Sequence, residues 1–203
     1  MSTTLTRLYD DYSDARGAVE DLEQIGVPHS NISIVANNAD HAHGEHTKVA
    51  QDAGAGAGIG AAVGGVGGLL AGLGMLAIPG LGPVVAAGWL ASTALGAGVG
   101  LVAGGAAGGL VGALQKEGVS ERDAHVYSEG VRRGGSLVSA RVDDAMVPEA
   151  EAILNRHNPV DPQVRGRDYT ETGWTRFDDA AAPYDAAQIA RERSRYTRND
   201  SRV

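Results

Sequence analysis

The chain runs to 203 residues, enough for one domain with additions, and carries 30 glycines against one phenylalanine and two tryptophans, so one conventional core is not expected to fill its length. A net charge of −8 with no basic stretch leaves nothing to release counterions from a nucleic acid. The absence of cysteine excludes disulfides, thiolate metal sites and a thiol nucleophile.

Leu5 to Tyr9 alternates in the manner of a strand, and Ser13 to Ile25 carries Ala15, Ala18, Val19, Leu22 and Ile25 at helical spacing. Gly26 stops that helix and Ile32 to Ala36 supplies a second strand, so residues 1–40 read as a β-α-β unit. The first residues lack the basic and apolar regions of a secretory signal, from which synthesis in the cytoplasm is expected.

Residues 41–52 read as a polar linker containing His41, His43 and His46 beside Glu45. Imidazole and carboxylate could ligate zinc or nickel, but a cluster without a distant further ligand fixes no geometry, and a solvated linker is the plainer reading.

From Ala53 to Leu114 there is no charged residue. Pro79-Gly80-Leu81-Gly82-Pro83 lies in the middle, where two prolines remove donors and two glycines permit positive φ, so a turn is expected there. Gly56, Gly60, Gly64, Gly68 and Gly72 form one ladder at intervals of four; Gly96, Gly100, Gly104, Gly108 and Gly112 form another. Each ladder lies along one face of a helix and lets a second backbone approach closely. Residues 53–115 are therefore expected to be a glycine-zipper helical hairpin with arms Ala53–Ile78 and Val84–Leu114, each longer than the ~20 residues needed to cross hydrocarbon. Glycine costs ~1 kcal/mol per position in a solvated helix, so lipid or a partner helix has to offset it. The two outcomes are a membrane hairpin with both termini in the cytoplasm, and a soluble ring or filament whose hairpins bury one another.

Residues 116–160 continue with a helix capped by Ser120 and reaching Arg133, a strand from Leu137 to Val142, a helix from Pro148 to His157 and a short fourth strand at Val160. Arg132 and Arg133 suit the helix C-terminus and could also meet anionic lipid. The fold class expected is α+β, a ferredoxin-like β-α-β pair interrupted by the hairpin. The tail, residues 161–203, balances acidic and basic residues with few aliphatics and is expected to be largely disordered. Trp174, Phe177 and Tyr184 stand out in it as anchors for a partner or a neighbouring subunit, or as incidental composition.

No G-x-G-x-x-G, Walker loop or G-x-S-x-G occurs, and Asp10-Asp11, Asp143-Asp144 and Asp178-Asp179 read as solvated turn residues. No cofactor and no catalytic residue is assigned. The strings Leu5-Thr6-Arg7-Leu8-Tyr9-Asp10 and Ile32-Ser33-Ile34-Val35-Ala36, with Ala15 and Asp21-Leu22, resemble the N-terminal domain of bacterial heat-induced or general stress proteins. So do Leu76 to Gly88 and Tyr127 to Gly135, and the likeness extends over roughly residues 5 to 160. It implies a small stress-associated protein, often membrane-linked, without a defined reaction; the partners expected from the glycine ladders are the chain itself and a lipid membrane.

Overall fold

The computed structural model describes residues 2–39, 73–91, 93 and 109–200. Five strands, β1 (Ser2–Tyr9), β2 (Ile32–Asn37), β3 (Gly74–Ile78), β4 (Gly82–Ala87) and β5 (Ser136–Asp143), form one antiparallel-paired sheet in the order β1-β5-β2-β4-β3. β5 lies between β1 and β2, antiparallel to both, with Leu8 opposite Leu137 and Ile34 opposite Val138. β1 and β2 therefore run parallel across it, joined by α1 (Tyr12–Gln24).

Each strand sends alternate side chains to opposite faces, and both faces are covered. On one, Leu5, Tyr9, Ile32, Ile34, Val138, Ala140 and Val142 meet Ala15, Val19 and Leu22 of α1 and Ala150, Ile153 and Leu154 of α4 (Val147–Arg156). On the other, Leu8, Val35, Val84, Ala86 and Leu137 meet Leu110 and Leu114 of α2 (Gly109–Lys116) and Tyr127 and Val131 of α3 (Glu121–Arg132). Local signals set several of these boundaries. Asp11 caps α1 by accepting from the Ser13 N–H at 2.8 Å, and Ser120 caps α3 by accepting from Asp123 at 3.1 Å.

Three expectations change. The turn at Pro79–Pro83 is present, but it joins strands rather than helices: Ile78 O accepts from the Leu81 N–H at 3.0 Å and Gly80 sits at φ 74, the hallmarks of a type II turn with Pro79 leading. Leu76, Ile78, Val84 and Val85 flank it in runs too short to reveal a period, so the Pro-Gly turn decides in favour of a β-hairpin. The arms Ala53–Ile78 and Val84–Leu114 are thus not continuous helices; Gly109, at φ 69, interrupts the second again where α2 begins. Of the ladder glycines, Gly112 lies buried in α2. Gly56, Gly60, Gly64, Gly68, Gly72, Gly96, Gly100, Gly104 and Gly108 lie outside the described residues, as do His41, His43 and His46.

Val160 is not a strand, although its N–H donates to Leu8 O at 2.7 Å along the outer edge of β1. The tail is not largely disordered: α5 (Pro162–Glu171) and α6 (Ala186–Asp200) are helical, and Tyr169, Phe177 and Ile189 are buried. Tail sequence alone offers too little apolar area to fold, but here it borrows the area of α3 and the hairpin tip.

Candidate functional site

The sequence singled out a turn and three tail aromatics as separate features, and the fold brings the turn against Phe177 and the segment that leads to Tyr184. Leu81 is fully buried at the tip of the β3-β4 hairpin, its carbonyl accepting from Asn37 Nδ2 at 3.3 Å. Across the tip lies the segment 177–183. A Cβ on Gly80 would stand 2.7 Å from Asp179 Cα and 2.9 Å from the Phe177 ring, and one on Gly82 would stand 2.8 Å from the Pro183 side chain. Only glycine lets the strap lie this close. Phe177 itself enters the core cluster that holds Ile78 and Leu81.

The strap continues over the C-terminal end of α3. Arg132 donates to Ala182 O at 3.2 Å and its guanidinium sits 5.0 Å from the Tyr184 ring. Arg133, almost fully buried, bonds Glu129 at 2.7 Å and Glu192 of α6 at 3.1 Å, with the Tyr169 ring 4.2 Å away. Burial works against its charge, yet the hydrogen bond and charge of Glu129 outweigh it and raise its pKa above the ordinary guanidinium value. Ile189 packs on Gly134, whose carbonyl accepts from Arg193 at 3.0 and 3.2 Å.

A second anchor ties α5 to the N-terminal half. Arg165 forms a two-pronged pair with Asp10 at 2.6 and 2.8 Å and lies 3.5 Å from the Tyr196 ring. Burial again opposes its charge, and Asp10 more than restores it. Asp10 is therefore an ion-pair partner rather than a solvated turn residue, and Asp11 is a helix cap. Trp174 meets the Tyr169 ring edge-on at 5.5 Å.

Phe177 and Tyr184 thus hold the tail against its own domain, while Trp174 meets Tyr169 within the tail itself. Arg132 and Arg133 face that tail, which leaves the lipid contact considered for them without free guanidinium groups. Sequence reasoning missed Arg165 and Glu192, because pairs separated by 155 and 59 positions have no local signature, and missed Glu129 although its spacing of four to Arg133 was visible. The signal that was available is the placement of aromatics beside arginines in an otherwise polar tail.

Elsewhere, Thr6 and Ser139 share a hydrogen bond of 2.8 Å beneath α3, and Ser33 donates to Ala87 O at 2.8 Å while accepting from Leu90 N. These hydroxyls join strand to strand. A cleft of about 350 Å³ beside β1 is lined by Arg7, Tyr127, Asn155, Val160 and Asp161, with Arg7 already bonded to Asn155 and Thr6 O. Among the described residues no group of His, Asp and Glu could hold a metal ion. No family model, curated protein or solved structure matches the chain.

Proposed function

We propose that this chain is a non-enzymatic, self-associating protein. Its α/β platform presents two glycine-ladder segments that pack closely, helix on helix, between copies. Support for a ferredoxin-like platform comes from parallel β1 and β2 straddling β5, from α1 and α4 on one face, and from the Val160 N–H on the edge of β1 where a further strand would pair.

The observation that carries the reading is where the second ladder is tethered. Leu90 and Ala91 before it, and Leu110 and Val111 beside its last glycine, belong to one core cluster. The described residues on either side of 94–108 therefore belong to one domain. A crossing needs ~20 helical residues in one direction alone, so a stretch of this length fixed at both ends has no reach to span and come back. Close packing near the platform, in a soluble assembly, suits it better than a membrane hairpin. Among the described residues no helix is long and apolar enough to cross a membrane.

A membrane reading draws on the uncharged stretch from Ala53 to Leu73, long enough by itself to lie in or across a bilayer. The resemblance to general stress proteins adds expression under stress, in the cytoplasm or at the cytoplasmic membrane.

Cell fractionation with a carbonate wash, followed by sizing of the soluble material, tests the proposal. A soluble particle of several copies is expected, with Gly64→Leu and Gly104→Leu breaking it down. Retention of the parent in washed membranes overturns the soluble assembly in favour of the membrane reading, and variants that size like the parent remove the ladders from self-association.

A further inference from the structure

The two edges of the sheet are built differently. β1, at one edge, carries Thr4, Thr6 and Arg7, and its Leu8 carbonyl is already taken by the Val160 N–H. β3, at the other, reads Gly-Met-Leu-Ala-Ile, with no charge, no proline and no strand beyond it among the described residues. Sheet edges are normally guarded by lysine, proline or a bulge, because unpaired backbone groups template another strand. β3 has none of these.

Its free backbone groups can be assigned from the register. Asn38 donates to Pro83 O, so the backbone of Pro83 faces β2, and by alternation that of Val84 and Ala86 faces β3. Leu76 is opposite Val84 and Gly74 opposite Ala86, so these two β3 residues bond inward. Met75 and Ala77 therefore point their N–H and C=O groups outward. Their side chains lie on the α1 side of the sheet, and Met75 is 53% exposed.

We propose that β3 is a homotypic docking edge, pairing antiparallel with β3 of a second copy about a two-fold axis at Leu76. In that register Met75 faces Ala77 of the other copy and exchanges both backbone bonds with it, and the second Met75-Ala77 pair does the same. A large side chain thus meets a small one at both positions, and Leu76 meets Leu76. The edge is complementary to itself: neither copy of β3 carries a charge, so the two strands bring no like-charge repulsion against each other. A strand from a charged partner would find no counter-charge there. This interface is separate from the glycine ladders and does not depend on them.

Ala77→Pro is the direct probe. Its N–H points away from β4, so proline removes only an intermolecular donor, and the extended backbone before it suits a pre-proline residue. In sedimentation the full-length variant should dimerise about tenfold to thirtyfold more weakly, as expected for one lost hydrogen bond in each copy, with unchanged circular dichroism. Met75→Lys, at an exposed side chain, should weaken the dimer without touching the fold and serves if the proline variant misfolds. Hydrogen exchange of the parent should show the Met75 and Ala77 amides protected only as concentration rises. Protection in a dilute monomer would mean that residues of the same chain occupy the edge, and the proposal fails. It fails equally if both variants associate like the parent. Gly64→Leu with Gly104→Leu separates the two interfaces: β3 pairing predicts that a dimer survives in this double variant, whereas monomers overturn it.

Discussion

Replacing Phe177 by alanine tests whether the tail belongs to the fold or only rests on it. The ring is 7% exposed and packs with Ile78 and Leu81 under the strap that crosses Gly80. Truncating a buried phenylalanine costs ~3–5 kcal/mol in a rigid core, and the lower figure applies here because a strap can partly close the gap. With a urea slope of ~2 kcal/mol/M for a domain of this size, the midpoint should fall by roughly 1.5 M. Trp174, edge-on to Tyr169, makes tail fluorescence a local probe in a Trp89→Phe background, while far-ultraviolet circular dichroism follows the whole domain. Both transitions should shift together. If the fluorescence transition moves alone, or if neither moves, the strap is not part of the cooperative core and the site described above is a surface contact only.

Gly80→Ala should cost about 2 kcal/mol, combining the left-handed backbone at φ 74 with a Cβ only 2.7 Å from Asp179 Cα. Gly173→Ala, at φ 87 but with open space around it, should lose the backbone part alone, so equal losses in a thermal melt would show that the strap contact contributes nothing. Burial raises the pKa of Tyr9, Tyr127 and Tyr169, that of Tyr127 to about 12. The fold favours their neutral phenols, so this contribution is whole below the ordinary tyrosine value near ~10 and is lost as pH rises from there through the folded values. An alkaline absorbance titration should accordingly show these tyrosines ionising together with loss of circular dichroism, not before it.

The elements legible in the sequence are those with both a period and a cap. α1 and α3 were marked by apolar spacing and by Ser120 or Gly26 at an end, β1 by alternation, and β2 and β5 by short β-branched, apolar runs next to turn residues. β3 and β4 were misread because uncharged runs of five and six residues satisfy a strand and a buried helix equally, and the neighbouring fourfold glycines pulled the reading towards helix. The tail was misread for a different reason. Its order rests on Asp10, Arg133 and the hairpin tip, partners far off in sequence, so no window along residues 161–203 contains its cause. The aromatics were visible as anchors, but their dock was not.

The position of β5 sets the order in which this protein can be made. β1 and β2 are complete by Asn37, yet the strand that joins them ends at Asp143. A chain emerging from the ribosome therefore holds the N-terminal half of its sheet open, and the apolar faces of β1 and α1 uncovered, until most of its length has been translated. Contacts of such long sequence separation fold slowly, and the uncharged middle is synthesised during the wait. Growth conditions that slow elongation or raise temperature should tax this interval more than they tax the finished protein, making the nascent chain, and not the native state, the stage most dependent on chaperones.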